Sequence, residues 1–210
     1  MTVRITGESI VQTRHGAFRV VVFRADGEAD KEHSALVVGD VRGDDVMVRV
    51  HSECLTGDTF GSLQCDCGEQ LTQAQKRIAR HGRGVILYLR QEGRGIGLGD
   101  KMRAYQLQAA GLDTIDANLA LGLPDDARTY DVAADMLRAL GVETVRLMTN
   151  NPSKIEALDR LGIGVVERLP MTVSVNAHNA RYLATKRDRG RHAIEIAPAI
   201  DAAPARVRHG

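Results

Sequence analysis

The sequence holds no tryptophan, and aromatic residues make up 3% of its 210 positions. A core of stacked rings is excluded, so Val, Leu, Ile, Ala and Met must fill the interior. Charge of one sign is missing too, with 28 lysines and arginines against 27 acids. Such a chain has no global field to draw it to nucleic acid or an anionic membrane, and any anion binding must be local. Long hydrophobic runs are absent: the longest aliphatic stretch, Val85 to Leu89, is far short of the roughly 20 residues that cross a bilayer. The N-terminal MTVRITGE has no apolar leader segment. The expectation is a cytoplasmic location, with no nucleic-acid and no membrane partner.

Cysteine is the most informative scarcity. There are three, Cys54, Cys65 and Cys67, spaced C-x10-C-x-C within one short stretch. An odd set with two members one residue apart suits a disulfide framework poorly and suits thiolate ligands on a metal well, zinc first among them. Three sulfurs leave a tetrahedral zinc one ligand short, the mark of a catalytic rather than a closed structural site. His51, three residues before Cys54, is the alternative that would close it.

What remains is ordinary for a globular protein, and 210 residues suffice for one large domain. Ala17 to Ala25, Ser34 to Val41 and Asp45 to Ser52 are rich in β-branched residues and separated by Gly/Asp turns, so they read as an antiparallel meander. Alternation puts Val46, Val48 and Val50 on one face of the third strand and Arg49, His51 and Glu53 on the other, running into Cys54. A solvated edge face is the plainer reading of that pattern. Helices are expected over Cys67 to His81, Asp100 to Ala110, part of Leu112 to Leu123, Asp131 to Leu140, from Asn151 to Leu161, and over Asn176 to Gly190. Strands are expected at Val85 to Leu89, Thr144 to Thr149 and Gly164 to Leu169. Leu98, Met102, Tyr105 and Ala109 form one apolar stripe, which by position alone makes Tyr105 a core residue. The fold class is α/β, a single domain over 1–192 with a mixed sheet and helices on both faces, three layers in all. After His192 the composition shifts to Ala, Pro and isolated charges, which predicts a disordered tail over 193–210.

Two loops carry further chemistry. In QEGRGIGLG, starting at Gln91, the glycine spacing fails the dinucleotide fingerprint, and the alternate glycines are expected to let backbone N–H groups approach an anion or base. In TNNPSK, Lys154 stands in the first turn of a helix, where it opposes the helix dipole unless an anion is present; with Thr149 it reads as a phosphate cradle, or more blandly as a solvated lysine. Arg49, Arg94, Arg128 and Lys154 together could neutralise a triphosphate, and Glu92 could accept two donors from a guanine-like edge.

The runs RVHSECLTGDTFGSLQCDCGEQL, RQEGRGIGL with KMRAYQLQ, LDTIDANLALG, PDDAR, LMTNNPSKIEAL and VVERLPM with HNARYLATK, in that order, closely resemble GTP cyclohydrolase II. The resemblance implies that Cys54, Cys65 and Cys67 hold one zinc ion per chain. It implies hydrolysis of GTP as the first step of riboflavin synthesis, with release of formate and of pyrophosphate accompanied by magnesium, to give 2,5-diamino-6-ribosylamino-4(3H)-pyrimidinone 5′-phosphate. Asp126 would be the proton acceptor, Arg128 would act at the α-phosphorus as nucleophile or as electrostatic stabiliser, and Tyr105 would serve the second hydrolytic step. Arg49, Val50, His51, Ser52, Glu53, Gln70, Glu92, Gly93, Arg94, Thr114, Thr149 and Lys154 would surround GTP, in a homodimer. No dihydroxybutanone-phosphate synthase half precedes the matching runs, so a monofunctional enzyme is expected. Three rivals stay open: a zinc nucleobase deaminase, for which the P-C-x-x-C element is missing; a non-catalytic zinc module; and a paralogue that stops at the formamide intermediate or serves a secondary pathway.

Overall fold

The computed structural model describes residues 2–28, 30–189, 193 and 195–197. In chain order it runs β1 (Val3–Thr13), β2 (Gly16–Ala25), β3 (His33–Val38), β4 (Val46–Ser52), α1 (Leu55–Asp58), α2 (Cys67–His81) and β5 (Gly84–Leu89). A 3-10 turn, Glu92–Gly95, leads to α3 (Leu98–Ala109), α4 (Thr114–Ala120), α5 (Asp131–Ala139), β6 (Thr144–Met148), α6 (Pro152–Arg160), β7 (Gly164–Leu169), β8 (Thr172–Ser174), α7 (Ala180–Asp188) and β9 (Glu195–Ala197). None of these helices is long and apolar enough to cross a membrane.

Seven strands form one mixed sheet in the order β1-β2-β3-β5-β4-β6-β7. The first four in that order pair antiparallel, and β5, β4, β6 and β7 run parallel. The expected meander therefore holds for β2 and β3, but β4 does not follow them. β4 is buried along nearly its whole length, on both faces, and such a strand is stable between parallel neighbours that carry helices over both sides. The connection from β3 is also too long for a tight hairpin: it loops out while the Arg83 guanidinium donates to the carbonyls of Asp40, Arg42 and Asp44 at 2.8, 2.9 and 3.0 Å. The apolar strand β5 fills the place between β3 and β4.

Two apolar layers sandwich the sheet. On one face Val46, Val48 and Val50 of β4 join Val132, Met136 and Leu137 of α5 and Leu158 of α6. On the other, Met47 and Ile86 pack against Ala74 and Ile78 of α2. The expected three-layer arrangement follows, and α2 keeps its expected bounds because Gly82 takes up the left-handed conformation that closes its last turn. β1 went unread in the sequence: it is an edge strand, exposed over nearly all its length and broken in register between Ile5 and Gly7, so no burial pattern marks it. The stripe read into α3 is corrected as well. Leu98 and Met102 are exposed, whereas Lys101 and Ala104 are buried. α7 is shorter than expected, because Asn176 and Asn179 spend their side chains on a turn ahead of it. The tail expected over 193–210 lies mostly outside the described residues; of its described part, the Ala193 N–H donates to the Asn150 carbonyl at 2.9 Å and Glu195–Ala197 pairs parallel with β8.

Replacing Ile78, fully buried under the sheet, with alanine is expected to cost about 2–5 kcal/mol in urea unfolding. Ile10→Ala on exposed β1 should change stability by no more than about 0.5 kcal/mol; equal effects would contradict the layer assignment.

Candidate active site

β5 lies on one side of β4 and β6 on the other, so the chain reverses its direction of winding at β4. Ligands of open α/β sheets bind beyond the carboxyl ends of the strands at such a point. One pocket opens there, lined from the ends of β4, β5 and β6.

The β4 end supplies Arg49, His51, Ser52 and Glu53, all lining the pocket. Arg49 and His51 are buried, not solvated. Arg49 donates to the Met148 carbonyl at 2.9 Å and to Gln70 Oε1 at 2.5 Å. Burial lowers its pKa, partly offset by the Asp66 carboxylate. The Nε2 of His51 sits 3.1 Å from both oxygens of Asp58, a partner that makes Nε2 the protonated nitrogen, and neither ring nitrogen belongs to the close group that the cysteine sulfurs form. Asp58 also accepts from Tyr88 Oη at 2.9 Å and from the Cys54 backbone N–H at 3.0 Å. Burial lowers the pKa of His51, which keeps the imidazole neutral.

Cys54 caps α1 just past the end of β4, while Cys65 and Cys67 enter from the start of α2. Their sulfurs all lie within 4.8 Å of one another, and those of Cys54 and Cys65 are 3.7 Å apart. Tetrahedral zinc with sulfurs at about 2.3 Å requires roughly 3.8 Å between them. The trio therefore fits a metal ion, and among the described residues it is the one group of three or more candidate ligands. Close backbone approach makes this possible. A Cβ on Gly57 would lie 2.7 Å from the Cys65 sulfur and 3.2 Å from that of Cys54, and one on Gly68 would lie 2.3 Å from the Gly57 carbonyl oxygen. Hydrogen bonds from the other two thiols, and then Lys101, pull the Cys54 pKa down; Cys65 is pushed up to about 11 by giving its hydrogen bond to Cys54.

The glycine-rich loop lines the pocket with Glu92, Gly93 and Arg94. Glu92 accepts from the backbone N–H of Leu55 at 2.6 Å and of Gly93 at 2.8 Å, and from Lys101 Nζ at 2.8 Å, so most of its acceptor capacity is spent inside the protein. Gly95 gives room to the facing loop, since a Cβ there would meet Ala127 at 3.1 Å. Arg94 holds a left-handed backbone, φ 60°, and donates to Asp125 at 3.1 Å. The facing loop carries Arg128, whose guanidinium grips both oxygens of Asp126, with Nε to Oδ1 at 2.8 Å. Burial opposes the charge on Arg128, but the Asp126 hydrogen bond together with the charges of Tyr130 and Asp126 overcomes it and raises the pKa. For Asp126, burial is likewise overcome by Arg128 and the pKa falls.

At the β6 end, Asn151 caps α6 and the Thr149 hydroxyl accepts from the Asn151 N–H at 3.0 Å. Lys154 is buried, donating to the Val50 carbonyl at 2.8 Å, and burial followed by Arg49, Arg128 and Lys186 lowers its pKa well below the ordinary value. Tyr105 and Thr114 line the pocket too, and burial pushes the Tyr105 hydroxyl up to about 12.

Of the residues expected at the site, the pocket brings together all but two. The Val50 side chain belongs to the apolar core and offers only its backbone. Asp126 lines a neighbouring cleft that shares Arg128 with the pocket. Sequence reasoning missed Asp58, Asp66, Lys101, Tyr182 and Lys186. Asp66, between two of the cysteines, accepts from Lys186 Nζ and from Gln70 Nε2 at 2.7 and 2.6 Å. Lys101 and Tyr105, one turn apart on α3, were the available signal for a polar inner face.

The family model described as GTP cyclohydrolase II matches residues 3–170. Among curated proteins, the riboflavin biosynthesis protein RibBA of Mycobacterium marinum is 57% identical over 191 residues, covering 88% of this chain and 45% of that one. The proteins of the same name from Mycobacterium tuberculosis and Mycolicibacterium gilvum are 56% and 57% identical with the same coverage. The chain thus spans about half the length of the curated relatives it matches. Gly57→Ala is expected to speed loss of bound metal to a chelator by about tenfold or more; retention equal to the parent chain would contradict the close-approach argument.

Proposed function

The chain belongs to the GTP cyclohydrolase II family, and on that premise we propose that its pocket hydrolyses GTP, opening the guanine imidazole ring with release of formate and pyrophosphate, as the first step of riboflavin synthesis. The observation that carries this reading is one pocket in which three sulfurs share the walls with buried Arg49 and Lys154 and half-buried Arg128 and Lys186. Cys54, Cys65 and Cys67 would hold one zinc ion. Zinc with three protein ligands keeps a position for water and lowers that water's pKa, which is the chemistry needed at an electrophilic ring carbon.

The protein's own groups account for the rest. Buried cations that repel one another favour a polyanion, and Lys154, with its depressed pKa, is the clearest sign. Arg128 is held as a rigid fork by Asp126, and its raised pKa supports an electrostatic role at the α-phosphorus over a nucleophilic one. In that role it orients the phosphate and balances charge there. Asp126 is assigned as proton acceptor with Arg128 fixing its position, and Tyr105 is assigned to the second hydrolytic step, which separates this reading from a paralogue that stops at the formamide. Thr114, Thr149, Ser52, Glu53 and the Gly93–Arg94 loop complete the walls. Glu92, with most of its acceptors used, supports the loop more than it grips a base edge. Magnesium would ride on the phosphate oxygens, as it does where substrate supplies the ligands. The active form is proposed to be a homodimer, for which the outward-facing Leu98 and Met102 are apolar surface to cover. A cytoplasmic setting keeps the three thiols reduced.

Incubation with GTP, zinc and magnesium should yield formate and pyrophosphate in equal amounts. Cys54→Ser should abolish formate release and Arg128→Ala should block pyrophosphate release; ammonia in place of formate, or intact GTP, would contradict the assignment. Lys154 gives a pH test. Between its lowered value in the free chain and the ordinary 10.5, a polyphosphate that restores the ammonium must bring a proton with it. Calorimetry of a non-hydrolysable GTP analogue at mildly alkaline pH, in buffers of different ionisation enthalpy, should show proton uptake that Lys154→Met removes. No exchange, or release, would contradict the charge assignment.

A further inference from the structure

α3 departs from its sequence pattern: it leaves Leu98 and Met102 exposed and buries Lys101. Burying an ammonium is costly unless each of its protons finds an acceptor. Lys101 Nζ has three, Cys54 Sγ at 3.1 Å, Thr56 Oγ1 at 2.9 Å and Glu92 Oε1 at 2.8 Å. The Tyr105 ring adds a face 5.7 Å from the nitrogen. A chain that merely needed to seal this helix would place an apolar residue there; a lysine with every proton committed, one of them to sulfur, implies that the sulfur needs the charge.

The need follows from charge balance. Three thiolates around a divalent ion leave a net negative cluster, and each electron-rich sulfur weakens the ion's pull on whatever occupies its fourth position. Hydrogen bonds to metal-bound sulfur withdraw that density, which is how groups outside the ligand set tune a metal. The ammonium sets a positive charge against that sulfur, 3.1 Å from Cys54 Sγ, and shares it with the Glu92 carboxylate at 2.8 Å. It also ties the cluster to Glu92, which is separately held by the backbone N–H groups of Leu55 and Gly93.

We propose that Lys101 is the positioning residue of the sulfur cluster: its ammonium sets the electron density on Cys54 Sγ and so makes a three-thiolate site electrophilic. The proposal rests on the metal reading above. It assigns Lys101 no contact with the reacting atoms. Thr56 has the lesser part of aiming the ammonium, and its hydroxyl also lies 3.6 Å from the same sulfur.

The test uses the full chain loaded with cobalt(II), whose sulfur-to-metal charge-transfer band reports the sulfur's electron density. Lys101→Met should move that band to lower energy, Thr56→Val should move it the same way by less, and Lys101→Arg should stay near the parent. In the zinc-loaded chain, alkylation of Cys54 by iodoacetamide, mapped by peptide mass, should be about fivefold faster or more in Lys101→Met. Turnover should fall by about tenfold or more with KM changed less than about threefold, since two backbone donors still hold Glu92. An unmoved band and unchanged alkylation in a folded Lys101→Met would overturn the proposal and leave a packing role. Should that variant not fold, an unmoved band in Thr56→Val would overturn it equally. A parent chain that takes up no cobalt would instead defeat the metal reading, and this proposal with it.

Discussion

Three sulfurs can share one ion only if the backbone between them stays out of the way, and Gly57 is where this chain meets that condition. The turn of helix after Cys54 passes so close to Cys65 and Cys67 that any side chain at Gly57 would press on two sulfurs, while Gly68 lets α2 begin against the Gly57 carbonyl. The β4-to-α1 junction and the start of α2 are thereby wedged together by what their residues lack. The arrangement is held from below by Asp58, which collects His51, Tyr88 and the Cys54 N–H on one buried carboxylate. It is held from the side by Lys101.

The sheet explains why this junction faces a cationic pocket. β4 is the strand at which the winding reverses, so the loops after β5 and β6 part on either side of it and leave a crevice at its carboxyl end. Side chains of β4 alternate between an aliphatic face that anchors the strand under α5 and a polar face that carries Arg49 and His51 into the crevice. Lys154 and Arg128 arrive from the neighbouring loops. Their mutual repulsion is tolerated because Asp126, Asp66, Gln70 and two backbone carbonyls hold them in place. The pocket is thus charged and fixed before any ligand enters, which favours oriented binding of a polyanion.

Much of this was legible in the sequence, for physical reasons that can be named. The three-layer α/β fold followed from apolar runs between amphipathic segments, and α2 was bounded correctly because Gly82 is the only residue type that ends a helix that way cheaply. The cysteine trio was legible because soft ligands are scarce here. β4's place was not: a period-two strand looks the same beside a hairpin partner or between parallel ones, and only long-range pairing with β5 and β6 decides. Lys101 escaped notice because a lysine on a helix is solvated by default, and its three acceptors come from three distant stretches of chain. The partners of Glu92 were not legible either, since Leu55 and Lys101 reach its oxygens from other stretches of the chain.

The central claim is that the sulfurs hold a metal whose fourth corner belongs to no side chain. His51, the alternative fourth ligand, turns its Nε2 to Asp58, and among the described residues no histidine or carboxylate joins the three cysteines in one group. Zinc-edge X-ray absorption on the purified chain tests this most directly. The account predicts three sulfurs at about 2.3 Å and one oxygen at roughly 2.0–2.2 Å, without the outer-shell scattering of an imidazole; an imidazole shell, or a fourth sulfur, would contradict it.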